Sequence, residues 1–395
     1  MPAPANRILT THVGSLVRPD DLLAFIAKQQ EGKPYDVAAY ESCLQRSVAD
    51  VVKKQVDVGI GIVSDGEYGK SISWSRYILD RLSGFEERRD KTPGFRSAVA
   101  GKDRRDFAEF YEEYEGTYGF VGMGKAFKTG TWVVTGPIKY TGHALIQRDI
   151  EDVKRAVAGS GAIDAFLPLV APASVVPQRI DEHYKWEDDA LFAIAEAVRE
   201  EYKAVVDAGL IAQIDDAFLA SVYDVMVPPR TLADYREWAE VRIEALNHAL
   251  KGIPQDRTRY HICWGSWNGP HTNDVPLKDI VDLVLRVNVG GYSLEMANPR
   301  HEHEWRVWET VKLPQGKYLL PGLVSHATNI VEHPELVAER IVRLAKLVGR
   351  ENVVASTDCG FAQGPFARRV HPQIMWAKLR ALADGACIAT KQLWN

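Results

Sequence analysis

The sequence lacks the features that mark several protein classes. Its 395 residues include only four cysteines, widely scattered, which excludes the dense disulfide framework of small secreted proteins. Lys and Arg (48) do not outnumber Asp and Glu (53), and the formal net charge is -5. Such a chain offers no basic surface for a phosphate backbone. We therefore expect no nucleic-acid partner.

Long apolar runs are also missing. The N-terminus has neither the basic nor the apolar segment of a signal peptide, and no run reaches the ~18 to 20 residues that a membrane span requires. We expect a cytoplasmic protein with no membrane partner. No internal repeat or low-complexity linker interrupts the chain, so the sequence predicts a single domain over residues 1–395. With 46% hydrophobic residues, this chain can bury a large core.

Short strand-like runs alternate with longer stretches of helical spacing, and this alternation is typical of a parallel sheet. Helical patterns cover 187–208, 233–251, 276–288, 334–348 and 366–384. Eight runs are assigned to strands that end in Thr10–Ser15, Ile62–Glu67, Val133–Pro137, Ile214–Asp216, Tyr260–Trp264, Tyr292–Glu295, Leu319–His326 and Val353–Cys359. Eight strand–helix units predict an α/β fold, the (β/α)₈ TIM barrel. A ninth run, Ala165–Val176, is assigned to an extra segment between strands three and four.

Residues 84–131 follow the second predicted strand and do not share its alternation. Runs of mixed charge, such as Lys102–Asp106, are followed by Tyr111, Tyr114 and Tyr118. Charged insertions are most often solvated surface segments. The sequence favours that interpretation, and a lid over the barrel mouth is the alternative.

Polar side chains recur where the predicted strands end. Barrel enzymes place their catalytic groups at the carboxyl ends of the strands, because the loops converge there. Here those ends carry Ser15, Glu67, Asp215, His261, Cys263, Glu295, His326 and Cys359. The pattern predicts an active site at the carboxyl-terminal mouth of the barrel.

Four of these residues form a candidate metal site. His261 and Cys263 are two positions apart on a strand and point to the same face. Cys359, 96 positions after Cys263, ends a strand that barrel closure brings to the same mouth. With Glu295 they offer two sulfurs, one nitrogen and one oxygen, a set that suits tetrahedral Zn²⁺.

The charge of this site favours one kind of chemistry. Zn²⁺ with two thiolates and one carboxylate has a net charge of -1, which makes it a weak Lewis acid. A thiol that replaced the Glu295 carboxylate would lose its proton and stay nucleophilic. The net charge of the site therefore favours alkyl transfer to sulfur. The other cysteines, Cys43 and Cys387, are expected to be small hydrophobic residues.

The ordered motifs resemble those of one enzyme family. They are Thr10–Ser15, Asp65–Glu67, Thr135–Pro137, Gln213–Asp216, His261–Cys263, Leu294–Glu295, the run to His326, and Asp358–Gly360. This chain resembles the catalytic barrel of cobalamin-independent methionine synthase and its single-barrel relatives, which include epoxyalkane:coenzyme M transferase. The match covers most of the chain.

The resemblance implies a role for each residue. The zinc ligands would be His261, Cys263, Glu295 and Cys359. Ser15 would meet the carboxylate of homocysteine, and Glu67 with Asp215 its ammonium group. His326 would donate a proton to the leaving group, and Thr135–Pro137 would border the methyl-donor site. Structural roles remain open, since Glu67 and Asp215 also suit helix caps or ion pairs, His326 a core position and Ser15 a turn.

We therefore expect a zinc-dependent methyl- or alkyltransferase that acts on a thiol acceptor, homocysteine or a related thiol. The donor is unidentified, and a folate is one candidate. One alternative is a transferase that opens an epoxide with a thiol of the coenzyme M type, with Arg300 or Arg18 binding the sulfonate. Another is a metabolite-binding barrel with a structural zinc. The sequence leaves the oligomeric state open, a homo-oligomer included.

Overall fold

The computed structural model describes residues 6–88, 100–119, 131–175 and 180–395. Its strands are Leu9–Thr10 (β1), Ile62–Val63 (β2), Phe85–Arg88 (β3), Thr131–Val134 (β4), Asp164–Val170 (β5), Ile180–Asp181 (β6), Ile211–Asp216 (β7), Thr258–Ile262 (β8), Gly291–Leu294 (β9), Tyr318–Val324 (β10), Val354–Thr357 (β11), Ala362–Gly364 (β12) and Ala367–Arg368 (β13).

The α-helices surround these strands. They are Asp20–Gln30 (α1), Val37–Asp57 (α2), Lys102–Asp106 (α3), Ala108–Tyr118 (α4), His143–Val157 (α5), Pro172–Val175 (α6), Glu187–Asp207 (α7), Phe218–Ser221 (α8), Tyr223–Met226 (α9), Leu232–Leu250 (α10), Val281–Val284 (α11), Pro334–Val348 (α12) and Pro372–Trp394 (α13). Short 3₁₀ helices cover Arg76–Arg81, Gln255–Arg257, Leu277–Asp279, Glu302–Glu309 and Arg350–Asn352. None of the helices in the described ranges is long and apolar enough to cross a bilayer.

Eight parallel strands form the central sheet, in the order β1-β11-β10-β9-β8-β7-β5-β2. The edge strands meet where the Gly61 N–H donates to the Thr10 carbonyl oxygen at 3.2 Å, which closes the sheet. The predicted TIM-barrel architecture is confirmed. Because all eight strands run the same way, their carboxyl ends share one mouth.

The third barrel strand differs from the prediction. It is β5, within the run Ala165–Val176 that was assigned to an extra segment, and the assignment of Val133–Pro137 to the barrel is wrong. Residues of β5 after Asp164 are all buried, as a strand covered on both faces requires. In contrast, β4 pairs antiparallel with β3 and parallel with β6 in a separate three-stranded sheet.

Three long helices agree closely with their predicted spans, namely α7, α10 and α12. The prediction over 276–288 is wrong in extent, since only a 3₁₀ turn and the four-residue α11 form there. Four valines lie between 281 and 289, and β-branched side chains disfavour helix. The helix predicted from 366 begins instead at Pro372, because β12 and β13 form a hairpin first. His371 caps α13 by accepting the Gln373 N–H.

The excursion after the second barrel strand is present in the structure. The described part of 84–131 contributes β3, α3 and α4, while residues 89–99 and 120–130 lie outside the described ranges. Asp103 and Tyr111 are buried, so this segment is more than a solvated surface loop. Its contacts are with the rim of the barrel.

Candidate metal and thiol-binding site

The barrel register places the candidate ligands side by side. His261 lies on β8, level with Asp215 on β7 and Ser293 on β9. Cys263 follows β8 directly, two residues after His261, so both side chains point to the same face. Cys359 is the second residue after the end of β11.

His261, Cys263 and Cys359 form one compact buried group. Their candidate ligand atoms all lie within 4.8 Å of one another, and the two sulfurs are 3.5 Å apart. Two sulfurs at ~2.3 Å from a tetrahedral zinc would be roughly 3.8 Å apart. The group could therefore hold a metal ion with small adjustments.

The orientation of the imidazole supports the same conclusion. His261 Nδ1 lies 3.1 Å from Ser293 Oγ, a contact that fixes the ring as metal-bound histidines usually are fixed. Its Nε2 atom is buried and makes no hydrogen bond within the described residues. Burying an unsatisfied polar atom costs about 1–3 kcal/mol. A metal ion would satisfy it.

The sulfurs are held by a short loop after β8. Ser266 Oγ lies 2.9 Å from Cys359 Sγ and 3.4 Å from Cys263 Sγ, and the Gly265 N–H donates to Cys263 Sγ at 3.3 Å. The hydrogen bond with Cys359 and burial raise the pKa of Cys263 well above its usual value. Ionising one buried sulfur beside another concentrates negative charge, and a cation would offset that charge.

Glu295, the predicted fourth ligand, lies outside this compact group of three. It is buried, and its two oxygens accept hydrogen bonds from the Trp264 N–H at 3.0 Å and from Asn298 at 2.8 Å. Burial, followed by the proximity of Cys263, raises the pKa of Glu295 well above its usual range. Its ligation stays a prediction.

A cleft of about 740 Å³, its open mouth included, adjoins the thiols. Its wall brings together the predicted residues Ser15, Glu67, Asp215, His261, Cys263 and Cys359, and it also includes Trp74, Phe218, Ser266, Trp267, Gln363 and Arg369. We call this cleft the thiol cavity. Six of the eight predicted site residues thus line one space.

The two carboxylates of the thiol cavity suit a cationic ligand. Glu67 is buried, with Oε1 3.4 Å from Lys70 Nζ and Oε2 without a hydrogen-bond partner in the described residues. Asp215 accepts a hydrogen bond from Gln213 at 2.8 Å. Burial raises the pKa of Asp215 to about 7, and a bound ammonium group would reverse that shift.

His326 lines a second cavity, of about 960 Å³, together with Glu295 and Arg300. Trp267 and Gly265 belong to the walls of both cavities. Both ring nitrogens of His326 lack hydrogen-bond partners in the described residues, and burial lowers its pKa to about 3. The ring is therefore neutral at neutral pH, and its predicted role as a proton donor stays a prediction.

Some of the remaining expectations from the sequence agree with the structure and others do not. Cys43 is buried as expected, whereas Cys387 is exposed. Residues Thr135–Pro137 are not among the residues that line either cavity. Arg369 was missed, because the sequence assigned it to a helix that begins three residues later.

The excursion, residues 84–131, also contacts the loop that holds the sulfurs. The sequence did not establish these contacts. Asp103, at the start of α3, accepts the N–H groups of His271 and Thr272 at 3.1 and 3.0 Å and the Tyr111 hydroxyl at 3.0 Å. The Trp267 indole N–H donates to the Tyr111 oxygen at 2.9 Å. These bonds fasten the loop 264–274 to the excursion.

Comparison with known proteins gives consistent matches. The model of the family "Cobalamin-independent synthase, Catalytic domain" matches residues 169–375. A methionine synthase of Sulfolobus acidocaldarius is 23% identical over 97% of this chain and 93% of its own length. A 2-hydroxypropyl-CoM lyase of Xanthobacter autotrophicus is 22% identical over 98% and 96%. The solved structure of a B12-independent methionine synthase from a Shewanella species, in complex with selenomethionine, has a TM-score of 0.71 at 20% identity and covers 98% of this chain and 99% of its own.

Proposed function

Because this chain belongs to the cobalamin-independent methionine synthase catalytic family, we propose that it is a zinc-dependent transferase that moves a methyl or larger alkyl group onto a thiol. The observation that carries the proposal is the buried group His261, Cys263 and Cys359 in the wall of the thiol cavity. The acceptor we propose is homocysteine or a related amino-acid thiol.

His261, Cys263 and Cys359 would hold the zinc, with Glu295 as the exchangeable fourth ligand. Bound there, zinc would lower the pKa of the incoming thiol, so that the sulfur is nucleophilic at neutral pH. Glu67 and Asp215 would bind the ammonium group and Ser15 the carboxylate. Orienting both reactants can lower the activation free energy by ~7 to 11 kcal/mol.

In the proposed reaction, the acceptor sulfur forms a bond to an sp³ carbon as the bond between that carbon and the donor breaks. The donor leaves with the electron pair of the broken bond and takes up a proton. The proton that the acceptor thiol loses balances this uptake, and His326 would relay it to the departing group, whose negative charge favours protonation of the buried ring.

The cavity charges support an amino-acid thiol over a sulfonate thiol. Two carboxylates, Glu67 and Asp215, line the thiol cavity. Arg18, one candidate for a sulfonate, is not among the residues that line the thiol cavity, and its Nη2 donates to the carbonyl oxygens of Glu67 and Lys70. Opening of an epoxide by a sulfonate thiol stays the second candidate because of the 2-hydroxypropyl-CoM lyase relative.

The decisive experiment uses the cobalt-substituted protein. We expect its thiolate-to-cobalt absorption to shift on addition of homocysteine, since an exchangeable position is required, and to shift less with 2-mercaptoethanesulfonate. Mass spectrometry of the thiol after incubation with candidate methyl, alkyl and epoxide donors would identify the product. A spectrum that no thiol changes, with no alkylated thiol formed, would contradict the proposal and favour a structural zinc.

A further inference from the structure

The hairpin β12–β13 brings an arginine to the thiol cavity. The Phe361 N–H donates to the Ser15 carbonyl oxygen at 2.8 Å, and the Arg369 N–H donates to the Phe361 carbonyl oxygen at 3.0 Å. Gly360 permits this close approach, because a Cβ there would lie 2.1 Å from Ser15 Oγ. The backbone of Arg369 is thereby fixed relative to Ser15.

The guanidinium group is oriented by a neighbouring amide. Arg369 Nε donates to Gln363 Oε1 at 2.6 Å, and Gln363 Nε2 donates to the Gly360 carbonyl oxygen at 2.7 Å. Both side chains line the thiol cavity together with the two sulfurs. Arg369 is half-buried, and its loss of hydration lowers the pKa of the guanidinium, an effect that Tyr114 and the sulfurs of Cys359 and Cys263 only partly offset. A half-buried cation in a cavity wall is a suitable contact for an anionic ligand.

The thiol cavity therefore carries charges of both signs. Glu67 and Asp215 present carboxylates, and Arg369 presents a guanidinium, in the same wall that holds the cysteine sulfurs. We propose that Arg369 is a specificity-determining residue that binds the anionic end of the thiol substrate, so that the cavity selects a zwitterionic amino-acid thiol. This inference rests on the proposed function and names its substrate class.

Three thiols of similar length test the contributions of the carboxylate and the ammonium group one at a time. Homocysteine has both groups, 3-aminopropanethiol lacks the carboxylate, and 4-mercaptobutanoate lacks the ammonium group. A site that bonds a charged group discriminates against the analogue without it, because that charge-assisted bond is then lost. The wild-type protein should therefore bind homocysteine at least about tenfold more tightly than either analogue.

The test compares Arg369→Gln with Arg368→Gln, which changes the exposed neighbouring arginine. Dissociation constants of the three thiols are measured by calorimetry on the zinc-loaded protein. We expect Arg369→Gln to lose most of the preference for homocysteine over 3-aminopropanethiol and to keep the preference over 4-mercaptobutanoate. Glu67→Gln should show the opposite pattern, Arg369→Lys should restore part of the lost preference, and Arg368→Gln should match the wild type.

Two results would overturn the inference alone. In one, Arg369→Gln leaves the ratio of homocysteine to 3-aminopropanethiol unchanged. In the other, it weakens all three thiols equally, as a merely structural role would. If the wild-type protein binds none of the thiols, the proposed function fails as well.

Discussion

Two buried polar clusters differ in how fully their groups are paired. In the first, which we call the arginine cluster, Arg81 contacts Glu201 of α7 and Asp149 of α5, each at 2.5 Å, and Tyr77 donates to Glu201 at 2.9 Å. In the second, at the thiol cavity, His261 Nε2 and Glu67 Oε2 are buried without hydrogen-bond partners in the described residues.

This difference in pairing distinguishes a cluster that stabilises the fold from a cluster that binds a ligand. Unsatisfied buried groups are costly, so they persist where a ligand satisfies them. The arginine cluster joins the 3₁₀ helix Arg76–Arg81 to α5 and α7, and within the described residues both terminal guanidinium nitrogens of Arg81 have partners there. It should matter for stability, and the thiol cavity for binding.

The largest expected effect is that of Cys263→Ser at the thiol cavity. A serine hydroxyl is a poor zinc ligand, so we expect both bound zinc and thiol alkylation to be lost. Cys387→Ser, at the exposed cysteine, is the control and should keep both. Metal content and turnover are measured on the same preparations. Turnover by a metal-free variant would show that the two cysteines are not the catalytic centre.

Next in size is Glu201→Gln in the arginine cluster. Removing one charge of a buried pair costs about 3–5 kcal/mol, so urea unfolding should show a loss of this order while the folded protein still binds zinc. Asp207→Asn on the same helix changes an exposed pair with Lys203 and should have little effect. A loss of zinc affinity with unchanged stability would reverse the assignment of the two clusters.

The sequence predicted the thiol cavity better than the region that holds the arginine cluster. Strand alternation and barrel closure are local and general rules, and they placed His261, Cys263 and Cys359 together. The pairing of β4 with β3, and of Arg81 with Glu201 across 120 positions, depends on tertiary contacts with no sequence periodicity. Arg369 was hidden for the same reason, because the hairpin β12–β13 replaces a predicted helical turn.

A pH-dependent prediction concerns Asp65, whose surroundings connect the two clusters. It accepts the Glu67 N–H at 2.9 Å, and burial, followed by the charge of Asp149, raises its pKa to about 7. A raised pKa means that the folded state keeps a proton that the unfolded state releases near pH ~4. The stability contributed by Asp65 is present below pH ~4 and is lost as the pH rises to about 7.

Asp65→Asn should therefore flatten the decline in unfolding free energy over that window, by up to about 1.4 kcal/mol per pH unit. Asp50→Asn, at an exposed position of α2, is the matched control. Urea denaturation at intervals between pH 4.5 and 7.5, within the window given by the pKa shift, measures the slope. An equal decline in wild type and Asp65→Asn would mean that Asp65 is ionised in the folded protein.

The smallest expected effect is that of Tyr111→Phe, which asks whether the excursion acts on stability or on the thiol cavity. Loss of the hydroxyl removes both the acceptor of the Trp267 indole N–H and the donor to Asp103, and Trp267 lines both cavities. The neutral bond to Trp267 is the one that bears on the cavities and is worth about 0.5–1.5 kcal/mol, so we expect roughly a two- to tenfold fall in kcat/KM with zinc content unchanged. Tyr118→Phe, on the exposed end of α4, should behave as wild type. A fall in unfolding free energy without any change in kcat/KM would place the excursion with the arginine cluster as scaffold, because the position of Trp267 would then have no bearing on the reaction.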